Sequence, residues 1–289
     1  MPLIGSLMYN MKEVNYNPIK IVHGILYGAT VTYLRVLKNL LRFGTPSFRE
    51  HIQETYHSKV VRLDDATKFI TINKNIELKN LEQVLPYKHA KDIVLKNPQN
   101  ILAYECACRS MAKTPCKPTD VCLIIGEPFA DLVRMLQPLR SKRISAEKAI
   151  DILKEEDKRG HVHTAWFKTA MLDRFYAICN CCKCCCMGIE NMRKYKMKMV
   201  LPSGYLAVTK EDCIGCGECS KNCQFEAIEM ITKPDNGKKQ IAKIITEKCY
   251  GCGICESKCK NENISLILDA SKGIPLNIEN LAQTAEVAI

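Results

Sequence analysis

From Cys213 to Cys259 the chain carries C-x-x-C-x-x-C-x-x-x-C twice, as Cys213, Cys216, Cys219 and Cys223, then as Cys249, Cys252, Cys255 and Cys259. Thiolates are soft ligands suited to iron–sulfur clusters, and three at this spacing on a short loop grip three corners of a cubane while a fourth comes from elsewhere. Gly215, Gly217, Gly251 and Gly253 stand between them, where the backbone must curl round an inorganic core that bulkier residues would crowd. C-x-x-C pairs also bind zinc, so a pair of zinc sites is the competing reading. Two zinc sites have no need of a third and fourth thiolate repeated at identical spacing.

The two motifs superpose at an offset of 36 residues, an internal duplication. The stretch Gly204 to Ile267 resembles the bacterial dicluster ferredoxins. That resemblance implies two [4Fe-4S] clusters, one on Cys213, Cys216, Cys219 and Cys259, the other on Cys249, Cys252, Cys255 and Cys223. The family usually has proline after the fourth cysteine, whereas Gln224 and Lys260 stand here, which puts the local turn in question and leaves the ligand set intact.

The chain has 18 cysteines in 289 residues. Secreted disulfide scaffolds are short, and no signal peptide is visible, so reduced thiols and a cytoplasmic location are expected. With 47 % apolar and 25 % charged residues, the length suffices for two domains with real cores. A net charge of +11 favours acidic protein partners or an anionic membrane surface. Nucleic acid is not expected: the one local basic run, Arg193, Lys194, Lys196 and Lys198, comes with no nucleic-acid motif.

Ile19 to Phe43 is apolar at helical spacing, but only 14 residues between Lys20 and Arg35 lack a permanent charge, too few for a bilayer span of about 20. A basic amphipathic helix is expected over residues 19–43, either at a membrane surface or against a partner, with an ordinary core-facing helix as the alternative. The stretch running into Arg42 and Pro46 looks like the lead-in of the ferredoxin-type subunit of respiratory complex I.

The middle of the chain reads as mixed α/β. Short strands are expected at Val60 to Leu63, Phe69 to Ile72 and Ile76 to Leu78, then a helix over Pro86 to Lys96 and a strand from Ile101 to Tyr104. Ser145 caps a helix through Lys158, with Gly160 at its end. Ten cysteines lie in this region: Cys106, Cys108, Cys116 and Cys122, then Cys179, Cys181, Cys182, Cys184, Cys185 and Cys186. Thiolates oxidise when exposed, so such density points to metal. Successive thiolates cannot all face one way, so the C-N-C-C-K-C-C-C run serves three or four corners of one site while its neighbours face another site or the core. One or two further iron–sulfur clusters are expected. Leu85 to Ile267 resembles poorly characterised iron–sulfur proteins of anaerobic bacteria and archaea, in which such a domain precedes a dicluster ferredoxin.

At most one of His161 and His163 is expected to face the cysteines. Arg109 either donates to cluster sulfur or pairs with Glu105 or Asp120. Two strands, Ala227 to Ile231 and Gln240 to Ile245, form a basic hairpin, and a tail beyond Gly273 packs as a strand and short helix.

The fold class is therefore α+β, in four parts: an N-terminal helix (1–45), a Cys-rich α/β domain (46–200), a duplicated ββ/α dicluster domain (201–270) and a tail (271–289). The function expected is single-electron transfer within an oxidoreductase complex, with an acidic ferredoxin, a flavoprotein or a larger complex as partner. No Rossmann fingerprint, P-loop or nucleophile elbow is present. Two alternatives are an iron–sulfur reductase with an open iron site and a cluster-sensing or assembly protein.

Overall fold

The computed structural model describes residues 31–233 and 239–287. Two helices, α1 (Val31–Phe43) and α2 (Pro46–Thr55), lead into β1 (Tyr56–Val60), α3 (Leu63–Thr71), β2 (Ile76–Leu78) and the long β3 (Ile93–Tyr104). A short α4 (Ala107–Met111) precedes β4 (Cys122–Glu127), α5 (Phe129–Leu136), β5 (Ser141–Ile144) and α6 (Ala146–Lys158). The hairpin β6 (Val162–Lys168) and β7 (Arg174–Cys181), then α7 (Met187–Tyr195) and β8 (Val200–Leu201), complete this part.

Its strands form one sheet of order β2-β3-β4-β7-β6-β1-β8, with β5 also on β3. All pairs are antiparallel except β1 with β8. Pro98 cannot donate to a ladder; it falls in the stretch of β3 between the residues that pair β2 (Ile93 to Leu95) and those that pair β5 (Ile101 to Tyr104). Side chains alternate across the sheet. Trp166 and Ala177 join a core with Leu34, Leu37 and Leu41 of α1, while Phe167 and Ile178 join a second core with Phe69 of α3 and Leu153 of α6.

The dicluster part follows as β9 (Tyr205–Thr209), α8 (Glu218–Asn222), β10 (Ile228–Thr232), β11 (Gln240–Ile244), α9 (Ile254–Ser257) and β12 (Ile264–Leu268). The expected hairpin is present as β10 with β11; β9 pairs with β12, tying the two ends of the duplicated unit together. Phe225, Ile228 and Ile264 bury in the same core as α1 and Trp166, so the two parts share apolar interior. Among its described residues the tail forms α10 (Ile278–Val287) and no strand; Leu276 and Ile278 pack in the second core, and Asn277 donates to Asp65 at 3.1 Å.

The mixed α+β class is as expected, while three local expectations change. The strand expected at Val60 to Leu63 ends at Val60, and Leu63 opens α3. Phe69 to Ile72 is not a strand, because Leu63, Ala66, Phe69 and Ile70 place apolar groups at helical spacing and Asp64 and Asp65 lie in the first turn of α3. Pro86 to Lys96 is not a helix; β3 begins at Ile93. The cap is as read, with Ser145 Oγ accepting from the Lys148 amide at 3.3 Å. Helix α1 turns Leu34, Leu37 and Leu41 to the core and leaves Val36, Leu40 and Phe43 exposed. Residues 19–30 of the expected amphipathic helix lie outside the described residues, as does the hairpin turn at 234–238. Among the described residues no helix is long and apolar enough to cross a membrane.

Lys59 in β1 is only 2 % exposed, and burial lowers its ammonium pKa to about 8. The folded chain thus holds this proton more weakly than the unfolded one, whose lysine titrates near 10.5. The resulting cost is fully present below about pH 8 and vanishes as pH rises through that of the unfolded lysine. Lys59→Met is expected to raise unfolding free energy at neutral pH by up to about 3 kcal/mol. Melting curves over pH check this: the gain should shrink above pH 8, and a variant no more stable at neutral pH contradicts it.

Candidate metal centres

Antiparallel pairing delivers most of the middle cysteines to one end of the neighbouring strands β3, β4 and β7. Cys106 and Cys108 follow the end of β3, Cys122 starts β4 opposite Tyr104, and Cys179 and Cys181 end β7 two residues apart on one face. Cys186, at the start of α7, closes the group, its Sγ 3.2 Å from that of Cys181. Cys106 meets Cys108 and Cys122, Cys122 meets Cys179, and Cys108 meets Cys186. These six thiols line one largely apolar cavity of ≈ 80 Å³, walled also by Tyr104, Trp166 and Tyr176. Backbone amides of Arg109, Met187 and Ile189 point at Cys106, Cys108 and Cys186, the donors that a thiolate needs in a dry site.

The remaining four form a second group nearer the surface. Cys116, on the loop before β4, meets Cys182, Cys184 and Cys185, and all four Sγ atoms lie within 4.8 Å of one another. The C-N-C-C-K-C-C-C run is thus shared between two sites, Cys179, Cys181 and Cys186 going to one and Cys182, Cys184 and Cys185 to the other. Burial opposes ionisation of Cys184, yet Cys116, Cys182 and Cys185 turn toward it and hold its thiol below the ordinary value.

Arg109 is 1 % exposed and pairs with Glu156 of α6, itself fully buried. It also meets His161 Nδ1 and donates to the Asn180 carbonyl, each at 3.0 Å. The partners expected from sequence do not take it; Glu105 pairs with Arg140 at 2.9 Å. His161 and His163 lie two residues apart and so share a face. Both join this one network, His161 through Glu156 at 2.6 Å and His163 through Asn180 Oδ1 at 2.6 Å. Arg109 Nε is buried with no hydrogen-bond partner, and Arg109 lines the cavity of the six thiols. An orphaned N–H in that position suits the sulfide-rich surface of a cluster, so the residues present fit one. Removing Arg109 would take from the buried Glu156 its one fully buried cationic partner, leaving it His161 at 2.6 Å and the part-exposed Arg159 at 3.1 Å. Arg109→Ala is expected to destabilise the fold by about 3–5 kcal/mol, and Arg109→Ala with Glu156→Gln by clearly less; equal losses in denaturation contradict the pairing.

In the dicluster part the duplication extends to backbone detail. Ala227 N–H donates to Cys223 Sγ at 3.3 Å, and Asn263 N–H, 36 residues on, to Cys259 Sγ at 3.2 Å. Glu226 and Glu262 both have positive φ, as do Gly215 with Gly251 and Gly217 with Gly253. At Gly251 a Cβ would stand 2.1 Å from the Tyr205 carbonyl oxygen, and at Gly215 2.2 Å from that of Gln240. These two glycines are thus required by the protein's own backbone, whereas a Cβ at Gly217 meets nothing within 4 Å.

Cys223 of the first motif stands with Cys249, Cys252 and Cys255 of the second around one small cavity, with Phe225 and Tyr250 stacked at 4.3 Å beside them. Burial pushes the Cys252 and Cys255 thiols well above the ordinary range, so ionisation there needs a metal's charge. Cys213 and Cys216 neighbour Cys219; Cys219 is buried, Cys213 and Cys259 are half-buried and Cys216 is exposed.

Gln224, where the ferredoxin pattern has proline, is buried and makes bonds that proline cannot. Its Oε1 accepts from the Lys183 amide at 2.9 Å and its Nε2 donates to the Gly160 carbonyl at 2.7 Å. The loop bearing Cys223 is thereby tied to the loop bearing Cys182 and Cys184. Sequence spacing alone could not show this.

Among the curated proteins none matches this chain. Residues 212–263 match the family model of the 4Fe-4S dicluster domain, which spans both cysteine motifs and gives this segment its iron–sulfur character.

Proposed function

We propose that the chain is an electron-transfer component of an oxidoreductase complex, with two [4Fe-4S] clusters in residues 201–270 and a further iron–sulfur centre in the Cys-rich part, residues 46–200. Cys213, Cys216, Cys219 and Cys259 hold one cluster; Cys249, Cys252, Cys255 and Cys223 hold the other. Cys106, Cys108, Cys122, Cys179, Cys181 and Cys186 hold the further centre. Bound there, such clusters take up and give back single electrons.

The observation that carries this reading is the Gln224 bridge, which joins the two cysteine-bearing loops across a shared core. Arg109 lines the thiol cavity and its Nε–H is buried without a hydrogen-bond partner, and the amides of Arg109, Met187 and Ile189 favour the ionised thiols. The walls of that cavity are largely apolar. The net charge of +11 suits an acidic protein partner on the cytoplasmic side.

One observation favours a second reading, a reductase: the cavity of the six thiols is apolar and bordered by Tyr104, Trp166 and Tyr176, a setting in which a small substrate could bind. Anaerobic reduction by a low-potential donor, followed by re-oxidation with an artificial one-electron acceptor, separates the two. Rapid return of all stored electrons without added substrate supports the carrier. Electrons that return only when a specific small molecule is supplied favour the reductase.

A further inference from the structure

The cysteines of this chain are not all spaced alike. Cys116 Sγ lies 3.1 Å from Cys184 Sγ and 3.9 Å from Cys182 Sγ, while Cys184 Sγ lies 3.3 Å from Cys182 Sγ and 3.7 Å from Cys185 Sγ. Every pair among these four falls within 4.8 Å. A single tetrahedral ion with metal–sulfur bonds of about 2.3 Å sets its four sulfurs about 3.8 Å apart along each edge, and the four contacts straddle that value. A cubane imposes a different spacing, because each thiolate binds a different iron at a different corner and the core stands between them.

The other thiols lack this arrangement. Cys223, Cys249, Cys252 and Cys255 surround a cavity, and among the described residues no three of the eight dicluster thiols gather closely enough to hold one ion. The six chamber thiols touch only in successive pairs around a larger cavity, and no three of them draw close enough to hold one ion.

We propose that Cys116, Cys182, Cys184 and Cys185 bind one metal ion through four thiolates, a sulfide-free tetrahedral centre apart from the iron–sulfur clusters. Zinc and ferrous iron are the ions this donor set selects. The proposal stands independently of the electron-transfer reading. It assigns the ion a place in the fold. Cys116 comes from the loop between α4 and β4, and the other three from the turn between β7 and α7, so the ion ties two loops that share no secondary structure. Cys182 and Cys185 also line the chamber of the six thiols, which makes the tie part of the chamber's outer wall. Cys184 is exposed and Cys116 half-buried, leaving a route for the ion from solvent.

The test uses the full chain purified without oxygen, with zinc, iron and acid-labile sulfide measured on the wild type and on Cys184→Ser and Cys116→Ser. The two substitutions lie on different loops, so a folding failure in one leaves the other informative. Loss of about one zinc or one iron per chain with sulfide unchanged supports the single ion. Where the ion is zinc, X-ray absorption at the zinc edge should show one shell of sulfur near about 2.3 Å and no metal neighbour. Loss of about four irons together with their sulfide overturns the proposal in favour of a cubane. Metal and sulfide contents identical to wild type in both variants overturn it as well, since the four thiols would then be free.

Discussion

Cys223→Ala is expected to remove the cluster of the second motif, although Cys223 lies in the first. The cavity lined by Cys223, Cys249, Cys252 and Cys255 collects one cysteine from the first copy and three from the second, and Cys223 receives the Ala227 amide that steadies its sulfur. Anaerobically purified Cys223→Ala should therefore lose about four irons per chain, and its reduced spectrum should match that of Cys252→Ala. The double variant should lose no more than either single one, because both residues serve one centre. If Cys223→Ala instead reproduces the spectrum of Cys216→Ala, the crossed ligand set is wrong.

Gly251→Ala is expected to stop the dicluster part from folding, with a cost above about 5 kcal/mol. The added methyl would stand 2.1 Å from the Tyr205 carbonyl oxygen and 2.5 Å from Ser203 Oγ, on a residue at φ +61°. Neither neighbour can yield: Ser203 Oγ donates to the Gly251 carbonyl at 2.7 Å, and Tyr205 opens β9, which pairs with β12. Gly217→Ala is the control. It shares a positive φ of 77° but faces open space, so it should cost only the about 1–2 kcal/mol of a left-handed residue. Soluble yield and iron content of the two variants compare them directly; a Gly251→Ala chain with full iron contradicts the packing described.

The dicluster part was the most legible in the sequence, because its signals are local. Motif spacing and the 36-residue offset predict a duplication that the paired amide-to-sulfur bonds at Cys223 and Cys259 repeat in three dimensions. The Ser145 cap and the β10–β11 hairpin were legible for the same reason. Gly215 and Gly251 were legible as special positions but for another cause, their closeness to backbone rather than to a cluster.

The middle part was harder, since what matters there is contact between distant residues. Phe69 and Ile70 suit a strand in isolation and belong to a helix only through Leu63 and Ala66. Arg109 finds Glu156, 47 residues away, over nearer acids. No spacing rule divides ten cysteines into six and four; the antiparallel order of β3, β4 and β7 does so, by bringing Cys106, Cys122 and Cys179 together at one end of these strands while Cys116 stays on a loop. Gln224 likewise reads as a lost proline until Gly160 and Lys183 stand beside it.

The central claim is that these thiols hold iron and sulfide for electron transfer. Its most direct test is the iron and acid-labile sulfide content of full-length protein prepared without oxygen, read alongside its visible absorbance. A brown protein is expected, with at least about 12 irons and nearly as many sulfides per chain, two cubanes and the chamber centre together. A colourless protein with stoichiometric zinc and no sulfide would contradict it.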